Sequence, residues 1–343
     1  MKTIVLTGGG TAGHTLGCLA LVEKLTKHFD KIFYVGSQNG IEKNLVKKYK
    51  EIVYIPIQTT KLIRGFSFKN FLIPFKLLRS IKECKKMLKD IKPNIIFSKG
   101  GYVSVPVCFA AHSLDIPIVL HESDITLGLA NKLIKNKTKA ICTSFDVTAQ
   151  KLKNGIHSGS PILNNTISNK NILLNNPQNL PVLLVLGGSL GASSLNKLVY
   201  DNLNFICENF FVVHITGKGK RKDISHKNYL QIEFCDEIQK LYSISNYALT
   251  RGGSNTLFEL LGHQIPMLIA PLKKQTRGEQ KLNANYFEKK GYALVLEEET
   301  QNELKNKLNL LIKNCKIIKQ KMDKYPHINS TNIIVNLLKR FAK

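Results

Sequence analysis

One arrangement occurs twice in this chain and limits what it can fold into: an apolar run, a glycine-rich turn, and a helical pattern that begins at once. Residues 3–7 run into Gly8-Gly9-Gly10-Thr11-Ala12-Gly13-His14, and residues 16–25 continue with apolar side chains at helical spacing. After an Asn-rich stretch at 164–179, the run 181–186 enters Gly187-Gly188-Ser189-Leu190-Gly191-Ala192, and a helix is predicted to start near Ser193. Apolar runs without alternation are strands buried on both faces, as in parallel sheets whose crossovers are helices. Strands are further predicted over 31–35, 52–57, 94–98, 117–121 and 139–143, and after the second start over 210–215, 229–234, 247–250, 266–270 and 293–296. The expected architecture is α/β, with two Rossmann-like, doubly wound domains facing a cleft, the first over 1–162 and the second over 163–327. Residues 328–343 place Ile333, Ile334, Leu337, Leu338 and Phe341 on one helical face, expected to dock back on the first domain.

Charge narrows the partners. Lys and Arg number 50 against 24 Asp and Glu, a net +26, which raises the prospect of a polyanionic partner. Only six of those 50 are arginine (Arg64, Arg79, Arg221, Arg251, Arg277 and Arg340), whereas readers of nucleic acid rely on the bidentate Arg fork. Nucleic acid is therefore not expected; a solvated surface, an anionic lipid or an anionic substrate is. Cys18, Cys84, Cys108, Cys142, Cys207, Cys235 and Cys315 form no Cys-x-x-Cys pair and lie mostly in apolar surroundings, as buried thiols of a reducing cytosol would. No Asp-x-Asp or clustered His/Cys set points to a metal. No run reaches the roughly 20 apolar residues of a bilayer span, and Met1-Lys2 leads straight into a strand, with no room for a secretory signal. One segment, 69–92, interleaves Phe71, Leu72, Phe75, Leu78, Ile81, Met87 and Leu88 with Lys76, Arg79, Lys82, Lys85, Lys86 and Lys89, and Phe66 and Phe68 precede it. It reads either as a basic amphipathic helix for an anionic membrane surface or as a docking helix with a solvated lysine face.

The candidate site residues lie where strands end. From Ala248 to Glu259 the chain reads Ala-Leu-Thr-Arg-Gly-Gly-Ser-Asn-Thr-Leu-Phe-Glu, a strand, a Gly-Gly turn and a helix with one acid a turn inside it. Free N–H groups at such a helix start suit a phosphate, and the nearby carboxylate suits sugar hydroxyls. Glu259 also fits a capping box with Thr256, in which it would return to the helix start. A second polar cluster runs from Gln275 through Gln280 to Ala284. Gly8-x-Gly10-x-x-Gly13 matches a dinucleotide fingerprint in form, but the second strand ends Val35-Gly36-Ser37 without the acid that binds an adenine ribose, which argues against a nicotinamide cofactor. His14 stands at the helix start, where the dipole disfavours imidazolium; it is a candidate proton acceptor or a residue that bonds its own loop. His121-Glu122-Ser123-Asp124 ends another strand, and Lys99-Gly100-Gly101-Tyr102 is a third glycine turn.

With these motifs in view the chain resembles the MurG family, bacterial peptidoglycan N-acetylglucosaminyltransferases of the two-domain GT-B architecture. The resemblance rests, in order along nearly the whole length, on Gly9 to His14, Gly100-Gly101-Tyr102-Val103-Ser104, His121 to Asp124, Gly187 to Ala192, Arg251-Gly-Gly-Ser254 through Glu259, and Gln280 with Asn283-Ala284. It implies metal-independent, inverting transfer of GlcNAc from UDP-GlcNAc to the 4-hydroxyl of a lipid-linked muramoyl-peptide, with no cofactor, at the cytoplasmic face of the plasma membrane. It implies that Glu259 holds the ribose, that Gly188 and Ser189 meet the diphosphate, and that Arg251, Ser254, Asn255, Thr256, Leu257 and Gln280 line the donor. Thr11, Ala12, Gly13 and Asp124 would face the acceptor, with His14 as general base and Glu122 as its rival. Leu163 stands where the family usually has arginine, so one donor-side cation is missing; Asp124, Leu16 and Leu127 depart from the usual Asn, Pro and Pro. Two other readings share parts of this pattern: another UDP-GlcNAc enzyme of the same architecture, an epimerase or glycolipid synthase, and a basic membrane- or nucleic-acid-binding protein.

Overall fold

A computed structural model of the chain describes residues 1–59, 73–163, 176–188, 191–272, 278–326 and 328–342. Ser189, Phe66, Phe68, Phe71, Leu72 and the segment 273–277 lie outside the described residues. Met1–Asn164 and Ile328–Lys343 form one compact unit, and Asn165–His327 form the other.

The first unit is a seven-stranded parallel sheet. Its strands are β1 (Thr3–Thr7), β2 (Lys31–Ser37), β3 (Ile52–Ile57), β4 (Ile95–Ser98), β5 (Ile118–Glu122), β6 (Ala140–Thr143) and β7 (Gly155–His157), in the order β3-β2-β1-β4-β5-β6-β7. Every residue of β1, β4, β5 and β6 is buried, which is why these strands read as continuous apolar runs. Alternate residues of β1 feed opposite faces. Ile4 and Leu6 pack with Leu19, Leu21 and Leu25, whereas Val5 packs with Cys84, Leu88, Val107 and Cys108. Helices therefore cover both faces, the condition for a sheet with no wet side. The last helix, Ser330–Phe341, adds Ile334, Val335 and Leu338 to the Ile4–Leu6 face. Burial of each such side chain contributes on the order of 1.5–3 kcal/mol. Leu163 is partly buried and packs against the same cluster.

Three local departures from the sequence reading have physical causes. The single helix expected over 16–25 is two, Ala12–Leu19 and Val22–Leu25, because the Leu21 N–H bonds back to the Cys18 carbonyl at 3.1 Å and tightens the turn. Strand β7 carries one apolar side chain in three residues, too little pattern to read. Helix Ile73–Ile91 splits its apolar set: Cys84 and Leu88 are buried and Ile81, Met87 and Ile91 pack on the same cluster, while Phe75 is 73% exposed and Leu78 64%.

The second unit repeats the design with six parallel strands, β8 (Val182–Leu186), β9 (Phe211–Ile215), β10 (Tyr229–Ile232), β11 (Tyr247–Thr250), β12 (Met267–Ile269) and β13 (Ala293–Val295), ordered β10-β9-β8-β11-β12-β13. In each unit the strand order reverses beside the first strand, at β1/β4 and at β8/β11. Ligands of open parallel sheets bind outside the carboxyl ends of the strands at that reversal.

Candidate active site

At the β8/β11 reversal two helix starts converge. Helix Ser193–Asp201 begins after Ala192 and helix Ser254–Gly262 after Gly253, and no side chain caps either one. The first intrahelical bonds are Asn196 N–H to the Ala192 carbonyl and Leu257 N–H to the Gly253 carbonyl. The N–H groups before them carry the positive end of the helix dipole and suit an anion. Gly188 (φ +89°) and the 3.0 Å bond from Gly191 N–H to its carbonyl shape the turn after β8. Because Gly253 is the cap of its helix, Thr256 sits inside the first turn and Glu259 a full turn from the start; the capping box does not form.

Glu259 has another partner. The Tyr242 hydroxyl, from helix Ile238–Ile244, donates to Glu259 Oε2 at 2.7 Å. Burial pushes the Glu259 carboxyl up to about 7, against the hydrogen bond from Tyr242, which pulls it down. Tyr242 was not among the expected site residues, since nothing in local spacing links positions 17 apart. Around this pair, Ser254 is buried and Asn255 and Thr256 are half-buried. Leu257 is fully buried, and its N–H donates to the Gly253 carbonyl at 3.1 Å. Gln280 Oε1 accepts from Leu272 N–H at 3.1 Å, and Asn283 Nδ2 donates to the Gly252 carbonyl at 3.0 Å. Those bonds hold the loops after β11 and β12 together. Arg251 is likewise committed: its buried guanidinium donates to the Ala270 carbonyl at 2.7 Å, to Ser194 Oγ and to Glu299.

The first unit places its expected residues after two strand ends, those of β1 and β5, with β4 between them. Thr11, exposed and extended, caps helix Ala12–Leu19 through its backbone alone; Ala12 is buried, and Gly13 and His14 are half-buried in the first turn. Glu122, at the end of β5, accepts Asp124 N–H at 3.0 Å on Oε1, and Gly128 N–H at 2.7 Å and Asn131 Nδ2 at 2.9 Å on Oε2. Burial raises its carboxyl, as does the Asp124 charge, while those donors hold it down. Both oxygens organise the loop that carries Asp124.

Beneath this loop lies Lys99, which the sequence marks only as the start of a glycine turn and to which it assigns no role. Lys99, 1% exposed, donates to Ser123 Oγ at 2.7 Å and lies 2.8 Å from His121 Nδ1. Its stem passes under helix Ala12–Leu19 at Gly17, where a Cβ would sit 2.1 Å from Lys99 Cε. Burial lowers the Lys99 ammonium to about 8, and the nearby Glu122 and Asp124 charges oppose that shift. His121 is held well below the usual imidazole range by burial and then by Lys99. A lysine ending an apolar strand directly before Gly100-Gly101 is the signal that could have found it.

Two Rossmann-type units, with uncapped helix starts and an anchored carboxylate at the second reversal, define a nucleotide-using α/β protein of the GT-B class. The profile of the Glycosyltransferase family 28 N-terminal domain matches residues 4–143, and that of the Glycosyltransferase family 28 C-terminal domain matches residues 182–337. The chain belongs to glycosyltransferase family 28. A Clostridium botulinum protein named UDP-N-acetylglucosamine–N-acetylmuramyl-(pentapeptide) pyrophosphoryl-undecaprenol N-acetylglucosamine transferase is 41% identical, with all of both chains covered. A Clostridium tetani protein of the same name is 41% identical over 99% of this chain and 98% of its own. Among solved structures, Acinetobacter baumannii MurG superposes with a TM-score of 0.77 at 21% identity, covering 99% of this chain and 100% of that one, which shows the shared fold.

Proposed function

We propose that the protein transfers GlcNAc from UDP-GlcNAc to the 4-hydroxyl of MurNAc-(pentapeptide)-pyrophosphoryl-undecaprenol, the step from lipid I to lipid II in peptidoglycan synthesis. Its full-length relatives carry the name of that transfer. The observation that carries the donor assignment is the Glu259 carboxylate, fixed by Tyr242 one turn inside an uncapped helix start and beside a second such start. Glu259 accepts the ribose hydroxyls, and the N–H groups near Ser193 and Ser254, with the turn at Gly188 and Ser189, take the diphosphate. Asn255, Thr256 and Gln280 border the nucleoside and sugar. Arg251 tethers the loops and does not touch phosphate.

The reaction is an inverting displacement. The acceptor hydroxyl oxygen bonds to the anomeric carbon, its proton passes to the His14 imidazole, and the bond from that carbon to the diphosphate breaks, releasing UDP. His14 lies in the first turn of helix Ala12–Leu19, half-buried, and its imidazole is the group that takes the proton. Charge growing on the leaving diphosphate is met by fixed N–H dipoles of the second unit. Thr11, Ala12, Gly13 and Asp124 border the acceptor, and Glu122 holds the loop that carries Asp124 instead of acting as base. The exposed Phe75 and Leu78 of helix Ile73–Ile91, flanked by Lys82, Lys86 and Lys89, seat the protein peripherally on the anionic cytoplasmic face of the membrane, where the acceptor lies.

The deciding experiment follows UDP release from UDP-GlcNAc by the purified protein in chelator, with and without a muramoyl-pyrophosphoryl-polyprenol acceptor. Acceptor-dependent release is expected. Formation of UDP-ManNAc without acceptor would select an epimerase, and no release in either case would overturn the assignment.

A further inference from the structure

The first unit contains a cavity of about 450 Å³ that none of the roles above uses. It opens at the carboxyl ends of β2 and β3, on the side of β1 away from β5, and is lined by Ser37, Gln58, Thr59, Lys76, Arg79 and Tyr102 among others. That volume is ordinary for a small-ligand site. Its walls are pinned from behind. Ser37 donates its N–H and hydroxyl to the buried Glu42 Oε1 at 2.9 and 2.5 Å, and Ser80 Oγ donates to the Gln58 carbonyl at 2.5 Å, tying helix Ile73–Ile91 to the end of β3. The lining chemistry is of two kinds: neutral hydroxyl and carboxamide groups that match peptide amides, and two cations one helical turn apart that match a carboxylate. No carboxylate among the described residues pairs with Lys76 or Arg79.

Position relates the cavity to the proposed chemistry. The Tyr102 ring forms one wall and also abuts the turn that carries the first helix, since a Cβ on Gly10 would lie 2.9 Å from Tyr102 Cε1. A ligand held at the Gly10–His14 turn thus needs to pass only one aromatic ring to enter. A pentapeptide offers amides along its length and a carboxylate at its free end. We infer that this cavity seats the peptide of the muramoyl acceptor, with the peptide's terminal carboxylate on Lys76 and Arg79. The inference rests on the transferase reading and adds the subsite through which the acceptor's peptide is recognised.

The test uses the full chain, UDP-GlcNAc and water-soluble acceptors with a short lipid, so that membrane binding plays no part. The acceptors carry the pentapeptide with a free carboxylate, the same peptide amidated at its end, or no peptide. Lys76→Gln/Arg79→Gln is expected to raise KM for the free-carboxylate acceptor about tenfold or more, the loss of the carboxylate's charge-assisted contacts to both cations. Its kcat, its KM for UDP-GlcNAc, and its KM for the amidated and peptide-free acceptors should stay within about twofold. An equal rise for all the acceptors would overturn the inference and assign the cations to the diphosphate they share; no rise for any would overturn it outright. If the unsubstituted protein transfers GlcNAc to none of them, the transferase reading itself fails, and this inference with it.

Discussion

The Lys99 ammonium lies 2.8 Å from His121 Nδ1, so a buried cation, not a carboxylate, orients this imidazole. Lysine has only donors to offer, so Nδ1 must accept and the ring proton sits on Nε2, which donates to the Gly159 carbonyl at 2.9 Å. That carbonyl also accepts from Ser330 Oγ at 3.1 Å, at the start of the final helix. One polar chain thus joins the end of β4, the end of β5, the turn after β7 and the chain's last element. It predicts a single tautomer: nitrogen NMR should find His121 protonated on Nε2 only and uncharged well below the usual imidazole range. A charged His121 at pH 6 would refute the arrangement.

The same ammonium makes stability depend on pH with a definite sign. Lys99 titrates near 8 in the folded chain and near 10.5 when unfolded, so between those values the unfolded state binds more protons and stability rises with pH. Lys99→Met removes the buried charge but strands His121 Nδ1 and Ser123 Oγ, a loss of about 1–3 kcal/mol. The melting temperature of the parent relative to this variant should therefore climb between pH 7 and pH 10. A difference that stays flat would place the Lys99 titration elsewhere.

Glu259 links donor binding to proton release. Ribose hydroxyls donate to the ionised carboxylate, and with a folded-state value of about 7 that form is scarce at pH 6. Uridine, which lacks a titrating phosphate, should bind roughly tenfold more weakly at pH 6 than at pH 8. Glu259→Gln should bind it weakly at both. Because the carboxyl is raised from its unfolded value near 4.5, the folded state binds more protons over pH 4.5–7 and the parent loses stability as pH rises through that window. The Gln variant, which still accepts from Tyr242, should then melt higher than the parent at pH 8 and not at pH 4.5. Uridine affinity insensitive to pH in the parent would remove Glu259 from the ribose.

His14 and Glu122 separate by what each loses. His14→Ala removes the proton acceptor and should lower kcat by roughly 10²–10⁴ with the UDP-GlcNAc Kd unchanged. Glu122→Gln sets an amide against three donors, Asp124 N–H, Gly128 N–H and Asn131 Nδ2, and should raise the acceptor KM and lower the melting temperature. Single-turnover rates and donor titrations distinguish the two. A His14→Ala enzyme with full kcat, beside a folded but inactive Glu122→Gln, would exchange their roles.

How much of this was legible depended on the range of the interaction. Strands β1 and β11 match the ranges read from the sequence because every residue in them is buried between helices, and the edge strand β3 matches because Ile52–Ile57 is apolar throughout although Val53 is exposed. β7 escaped because Ile156 alone carries its pattern. Glu259 was found by its offset from a Gly-Gly turn, yet Tyr242, which fixes it, comes from another helix. Arg251 stood at a strand end and was expected to meet the donor; its partners Ala270, Glu299 and Ser194 lie 19, 48 and 57 positions away and leave no trace in local spacing. Motifs display the residues that face a ligand, whereas the side chains that hold them are chosen by the tertiary fold.

Helix Ile73–Ile91 gives a prediction that rests on exposure and not on pattern. Its C-terminal half spends Cys84 and Leu88 on the sheet, and among its described residues Phe75 and Leu78 are the large apolar side chains left exposed to enter a lipid surface. Each such side chain taken out of water contributes about 1.5–3 kcal/mol, and each nearby lysine about 1 kcal/mol on an anionic leaflet. Phe75→Ser/Leu78→Ser should therefore weaken co-sedimentation with vesicles rich in phosphatidylglycerol by about a hundredfold or more. Raising salt should weaken the parent on those vesicles but scarcely alter its faint binding to phosphatidylcholine. Turnover on acceptor embedded in vesicles should fall in step with binding, since the substrate cannot leave the lipid. A double variant that binds and turns over like the parent would return the helix to a docking element with a solvated lysine face.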